Sequence, residues 1–79
     1  MAKYYHGLIF KNNFEREKFV NVVRKRMAER SITVPELANQ IGYNRKSVYQ
    51  FFNTATIDNK FLAASIANAL EIDKMDWIG

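Results

Sequence analysis

Thr33-Val-Pro-Glu-Leu-Ala-Asn-Gln-Ile-Gly42 runs directly into Tyr43-Asn-Arg-Lys-Ser-Val-Tyr-Gln-Phe-Phe-Asn53. Thr33 with Glu36 three residues later is a reciprocal cap: the hydroxyl accepts from the Glu36 amide and the carboxylate accepts from the Thr33 N–H. Pro35 falls in the first turn, where a helix needs no amide donor. Leu37, Ala38 and Ile41 then face inward, and Gly42 supplies the left-handed residue that stops the helix. Asn44 caps a second helix, whose inner face is Val48 and Phe51, with Phe52 beside them. A connection this short around a left-handed glycine turns one helix sharply onto the next, which is a helix-turn-helix corner. The small side chain of Ala38 lets the second helix cross close by.

Upstream, Asn12 with Glu15 three residues on marks the start of a first helix near Asn12 or Asn13. Phe19, Val22, Val23 and Met27 form its buried stripe. Arg24, Lys25 and Arg30 fall off that stripe into solvent, while Arg26 lies near it and snorkels out. Downstream, residues 53–58 read as a loop, and Asp58 or Asn59 caps a fourth helix with Leu62, Ile66, Ala69 and Leu70 inward. Asp73 caps a last short turn that returns Met75 and Trp77 to the core. The helical period therefore predicts an all-α protein of about five helices over residues 13–79, preceded by an arm of residues 1–12. That arm is too apolar for a free tail. Tyr4, Tyr5, Leu8, Ile9 and Phe10 call for burial, either on the domain's own core or as a strand or patch in a dimer. His6 reads as a solvated arm residue.

At 79 residues the chain is one small domain with a marginal core, of the size that often gains stability by dimerising. Cysteine is absent and His6 is the one histidine, which excludes disulfides and leaves no set of zinc ligands. The residues assemble no Ser/His/Asp or Cys/His arrangement and no glycine-rich phosphate loop, so neither an enzyme, a cofactor nor a small-molecule ligand is expected. Nothing approaches the roughly 20 apolar residues of a membrane span, and no signal-peptide pattern opens the chain; a soluble cytoplasmic protein is the expectation. Charge is unevenly spread. Residues 1–56 hold ten Lys/Arg against four acids, whereas residues 57–79 hold two against four. A basic front and an acidic back suit a polyanion on one side.

The run Ile32–Gly42 resembles the second helix, and Tyr43–Asn53 the recognition helix, of the lambda-repressor-like (Cro/CI-type, XRE) helix-turn-helix family of bacterial and phage regulators. The resemblance extends from about Phe19 to Trp77: the spacing from Val48 to the Leu62–Leu70 stripe is similar to that of the family, and Ile72-Asp-Lys-Met-Asp-Trp77 is similar to its closing helix. It implies a five-helix lambda-repressor-like domain that binds double-stranded DNA as a homodimer, with the helix at about residues 45–52 in the major groove of a palindromic operator. The implied role is transcriptional regulation, repression foremost, at the nucleoid. The family's second helix usually opens on a Gln that contacts phosphate and braces the recognition helix. Val34 stands here instead, and that contact is missing.

Helical geometry names the reading face. Opposite Val48 and Phe51 lie Arg45, Lys46, Tyr49, Gln50 and, past the end, Asn53. Arg45 suits guanine O6 and N7, and Gln50 suits adenine N6 and N7. Lys46 suits phosphate or guanine, and Tyr49 a phosphate or a thymine methyl. Asn44, as a cap, presents a helix N-terminus to phosphate, and the resemblance places Asn53 and Thr54 where the family's loop touches the backbone. Each has a plainer reading: Arg45 and Lys46 as solvated charges, Tyr49 as a protein contact, Asn53 and Thr54 as loop chemistry. The rival to DNA binding is a protein-interaction module on the same fold, an inhibitor or adaptor of phage or mobile-element type, which Val34 and the apolar arm favour and the charge pattern opposes. With the chain ending just after its last turn, no ligand-sensing domain of its own is expected.

Overall fold

In a computed structural model, residues 5–53 and 59–77 are described. They form four α-helices, α1 (Asn13–Arg30), α2 (Val34–Ile41), α3 (Arg45–Asn53) and α4 (Lys60–Ala69), followed by a 3-10 turn at Lys74–Asp76. No strand occurs among the described residues, and none of their helices is long and apolar enough to cross a membrane. Tyr4, Thr54 and Asp58 lie outside the described residues.

The helix ends follow local chemistry. The Asn12 side chain accepts from the Glu15 amide at 2.8 Å, and the Lys11 amide donates to the Glu15 carboxylate at 3.1 Å. Ser31 closes α1 at φ 55°, with the Ile32 N–H reaching back to the Met27 carbonyl at 2.9 Å, a closure that satisfies the last open carbonyls of the helix. Both arms of the Thr33–Glu36 box are formed, at 3.3 Å and 2.9 Å. Gly42 stops α2 at φ 80°, and the Asn44 Oδ1 accepts from the Ser47 amide at 2.8 Å to open α3. Asn59 performs the same service for α4 at 3.0 Å.

The core gathers one face of each helix. α1 contributes Phe19, Val20, Val23 and Met27, α2 Leu37 and Ala38, α3 Val48 and Phe51, and α4 Leu62, Ala63, Ala64, Ile66 and Ala67, with Leu70, Ile72 and Trp77 beyond it. Phe19 is its hub: the rings of Phe10, Phe51 and Trp77 lie 5.2, 6.1 and 5.6 Å from it, tilted or edge-on, the geometry that the ring quadrupoles favour. α2 packs against both α3 and α4.

Four expectations are corrected. The fifth helix is a single 3-10 turn, because only three residues separate the cap Asp73 from Trp77, and its bonds run three residues back, Asp76 N–H to Asp73 and Trp77 N–H to Lys74. Met75 does not return to the core: it is 75% exposed while Trp77 goes inward. On α1, Val20 is buried, while Val22 on α1, Ile41 on α2 and Ala69 on α4 are half-buried against the edge of the core. Ile9 is 65% exposed, whereas its neighbours turn inward, Leu8 buried and Phe10 half-buried.

The arm thus covers the chain's own core. The Leu8 amide donates to the Lys60 carbonyl at 3.0 Å. Tyr5 exchanges two hydrogen bonds with the Asn68 side chain, its amide to Oδ1 at 2.8 Å and its carbonyl from Nδ2 at 2.9 Å. The Arg26 guanidinium donates to the carbonyls of Leu70 at 2.6 Å and Glu71 at 3.2 Å, and lies 3.6 Å from Asp76. A cation there complements the negative end of α4 and fastens α1 to it.

Candidate nucleic-acid interface

α3 is seated by its inner face and free on its outer one. Val48 and Phe51 are fully enclosed, and with the Gly42 stop and the Asn44 cap they fix how the helix rolls. Arg45, Lys46, Tyr49, Gln50 and Asn53 are all exposed, as is Asn44. The spacing 45, 46, 49, 50, 53 follows two adjacent ridges of a helix, so the five side chains share one face. Asn44 spends its carbonyl oxygen on the cap. Thr54 belongs to the loop outside the described residues.

Two pairs of cations differ in their partners. Arg26 and Arg30 are engaged with the acidic end of the chain: Arg30 meets Glu71 at 3.0 Å, and Arg26 meets Glu29 and Asp76, each at 3.6 Å. Arg45 and Lys46 take part in no ion pair among the described residues. The side-chain carboxylates therefore neutralise the back of α1 and leave the front of α3 positive.

Val34 sits half-buried at the start of α2. It joins Met27, Ile32, Tyr49 and Phe52 in the wall of a shallow groove of about 490 Å³, with Arg24 and Asn53 at its border. Where the resemblance leads one to look for a polar Gln, the surface is apolar. Tyr49 serves both surfaces: it stands on the exposed face of α3 and borders this groove.

Arg16 escaped the sequence reading. It is buried, 7% exposed, with its guanidinium 4.8 Å from the centre of the Phe51 ring. Its Nε and Nη2 are enclosed without a hydrogen-bond partner. Burial lowers its pKa, and Glu17 nearby opposes that; a guanidinium nonetheless stays charged in a protein. Arg24, expected off the buried stripe and exposed, has its guanidinium 5.1 Å from the Phe52 ring centre. The signal for Arg16 was its place three residues before Phe19, in line with the buried positions of α1. A charged residue there reads as a solvated helix start unless its aromatic partner on another element is known.

No group of three His, Cys, Asp or Glu side chains that could hold a metal ion occurs among the described residues. No family model, no curated protein and no solved structure matched the chain. The geometry of α3 and its surroundings carries the functional reading.

Proposed function

We propose that this chain binds double-stranded DNA in the manner of a lambda-repressor-like regulator, with α3 as the recognition helix in the major groove. The observation that carries the proposal is the exposed outer face of α3: Arg45 and Lys46, in no ion pair among the described residues, beside Gln50 and Tyr49, on a helix whose opposite face is locked by Val48 and Phe51. Arg45 supplies a fork for guanine and Gln50 a donor–acceptor pair for adenine, each good pair contributing about 1–3 kcal/mol of discrimination. Asn44, Lys46 and Asn53 hold backbone phosphates and set the register. Two copies read half-sites about one helical turn apart, and occupancy of such an operator represses transcription.

The test is binding to duplex DNA at several salt concentrations, for the wild type and the Arg45→Ala/Lys46→Ala double variant. The wild type should lose affinity steeply with salt, and the double variant should bind more weakly with a shallower slope, because fewer counterions are released. Absence of binding at low salt refutes the DNA reading. The apolar groove around Val34, Tyr49 and Phe52 then favours the second reading, a protein-interaction module.

A further inference from the structure

α1 and the C-terminal end of α3 enclose an open hollow of about 380 Å³, bordered by Arg16, Glu17, Val20, Arg24, Phe52 and Asn53. Arg16, Val20 and Arg24 are four residues apart along α1 and so form a single ridge. Both arginines lie against rings of α3, Arg16 against Phe51 and Arg24 against Phe52. The aromatic contact restricts each guanidinium, so less freedom is lost when it forms hydrogen bonds.

Arg16 is the anomaly. A buried charge is ordinarily paired and hydrogen-bonded, because desolvating it is otherwise costly. Two of its donor nitrogens, Nε and Nη2, are enclosed without a partner, which leaves Nη1 as the donor that Arg16 can offer to the hollow it borders. Among the described residues Glu17 is the one acid at the hollow, against the two arginines, so their charges leave a net positive balance there. The chemistry that suits two arginines and the Asn53 amide around one hollow is an oxyanion with several acceptor oxygens. A carboxylate has two acceptor oxygens, enough for the two arginines alone; a phosphate offers an oxygen to each arginine and another to the Asn53 amide.

We propose that this hollow is a phosphate site formed by Arg16, Arg24 and Asn53, and that it takes a DNA backbone phosphate flanking the groove entered by α3. The second part rests on the DNA reading above. The placement fits it: Asn53 belongs both to the hollow and to the exposed face of α3, one helical turn beyond Tyr49. The hollow borders the groove of Val34, sharing Arg24, Phe52 and Asn53 with it. A clamp drawn from α1 thus stands beside the position at the start of α2 where a phosphate-binding Gln is missing. Glu17 acts against it and lowers its affinity.

The experiment uses the full chain with Arg16→Met, Arg24→Gln and Glu17→Gln. Met fills the slot against Phe51 without the charge, and Arg24 is exposed, so its variant leaves the core intact. Each arginine variant should bind every duplex more weakly, with the ranking of sequences unchanged and the salt slope reduced by about one. Glu17→Gln should bind more tightly. In parallel, inorganic phosphate is titrated while the Arg16 side-chain N–H resonance is followed, with a saturable shift expected in the wild type and its loss in Arg24→Gln. If the wild type binds DNA but both arginine variants keep its salt slope, the site is refuted and the DNA reading stands. If the wild type fails to bind DNA, the backbone assignment falls with that reading, and a missing phosphate shift at Arg16 overturns the phosphate site as well.

Discussion

Gly42 holds φ at +80°, and a Cβ at that position would meet no atom within 4 Å. Substitution there is consequently a conformational matter and not one of space. Alanine resists the left-handed region by about 1–2 kcal/mol, whereas asparagine tolerates it better through local hydrogen bonding. Gly42→Ala should therefore lower stability by about that amount and Gly42→Asn by clearly less, as read from urea midpoints. Equal midpoints for glycine and alanine would show that the corner does not depend on this backbone state. The residue was readable in advance because its requirement is local. Arg16 was not, because its burial is set by Phe51, 35 positions along the chain. The outer face of α3 was fully readable as exposed residues, since knowing where Val48 and Phe51 point fixes where Arg45, Lys46, Tyr49 and Gln50 point.

At the scale of elements, α2 is held at its start by a carboxylate. The Thr33 N–H and hydroxyl both donate to Glu36, and these bonds hold its carboxyl below the ordinary carboxylate range. A folded-state pKa below the unfolded one stabilises the native protein above the unfolded value, and the gain disappears as pH falls through the folded value. Glu36→Gln should thus be less stable than wild type near neutral pH, and the gap between them should close on acidification below the ordinary carboxylate range. Denaturation midpoints across that interval measure it, and a gap independent of pH would contradict the assignment. Helix beginnings were legible throughout, at Asn12, Thr33, Asn44 and Asn59, since a cap is a short-range hydrogen bond. The last element was over-read: Asp73 signals a start, but signals nothing about how far a helix continues.

At the scale of the molecule, the arm is part of the core and not an appendage. Leu8 is 3% exposed, and its backbone is tied to Lys60. Leu8→Ala should cost about 2–5 kcal/mol, the range for truncating an enclosed leucine, which is a large part of the stability of so small a domain. A loss well under 1 kcal/mol by denaturant titration would mean that the arm contributes only cover. The apolar composition of the arm announced burial, and of the two destinations open to it the structure shows the intramolecular one for Tyr5, Leu8 and Phe10. Its anchors, Lys60 and Asn68, are neutral to any local pattern. Ile9, Phe14, Phe61 and Met75 remain as large apolar side chains on the surface; the ammonium groups of Lys18 and Lys60 lie over the rings of Phe14 and Phe61, shielding part of each.

The paired bonds between Tyr5 and Asn68 join residues 63 positions apart, while the α2–α3 corner closes over a few residues. Closing a long loop is an entropic cost met before its contacts repay it. The folding reaction should accordingly assemble the corner on α4 first and dock the arm after the main barrier. In kinetic terms the arm is a latch: the stability lost in Leu8→Ala should emerge almost wholly as faster unfolding, with the refolding rate left near that of the wild type.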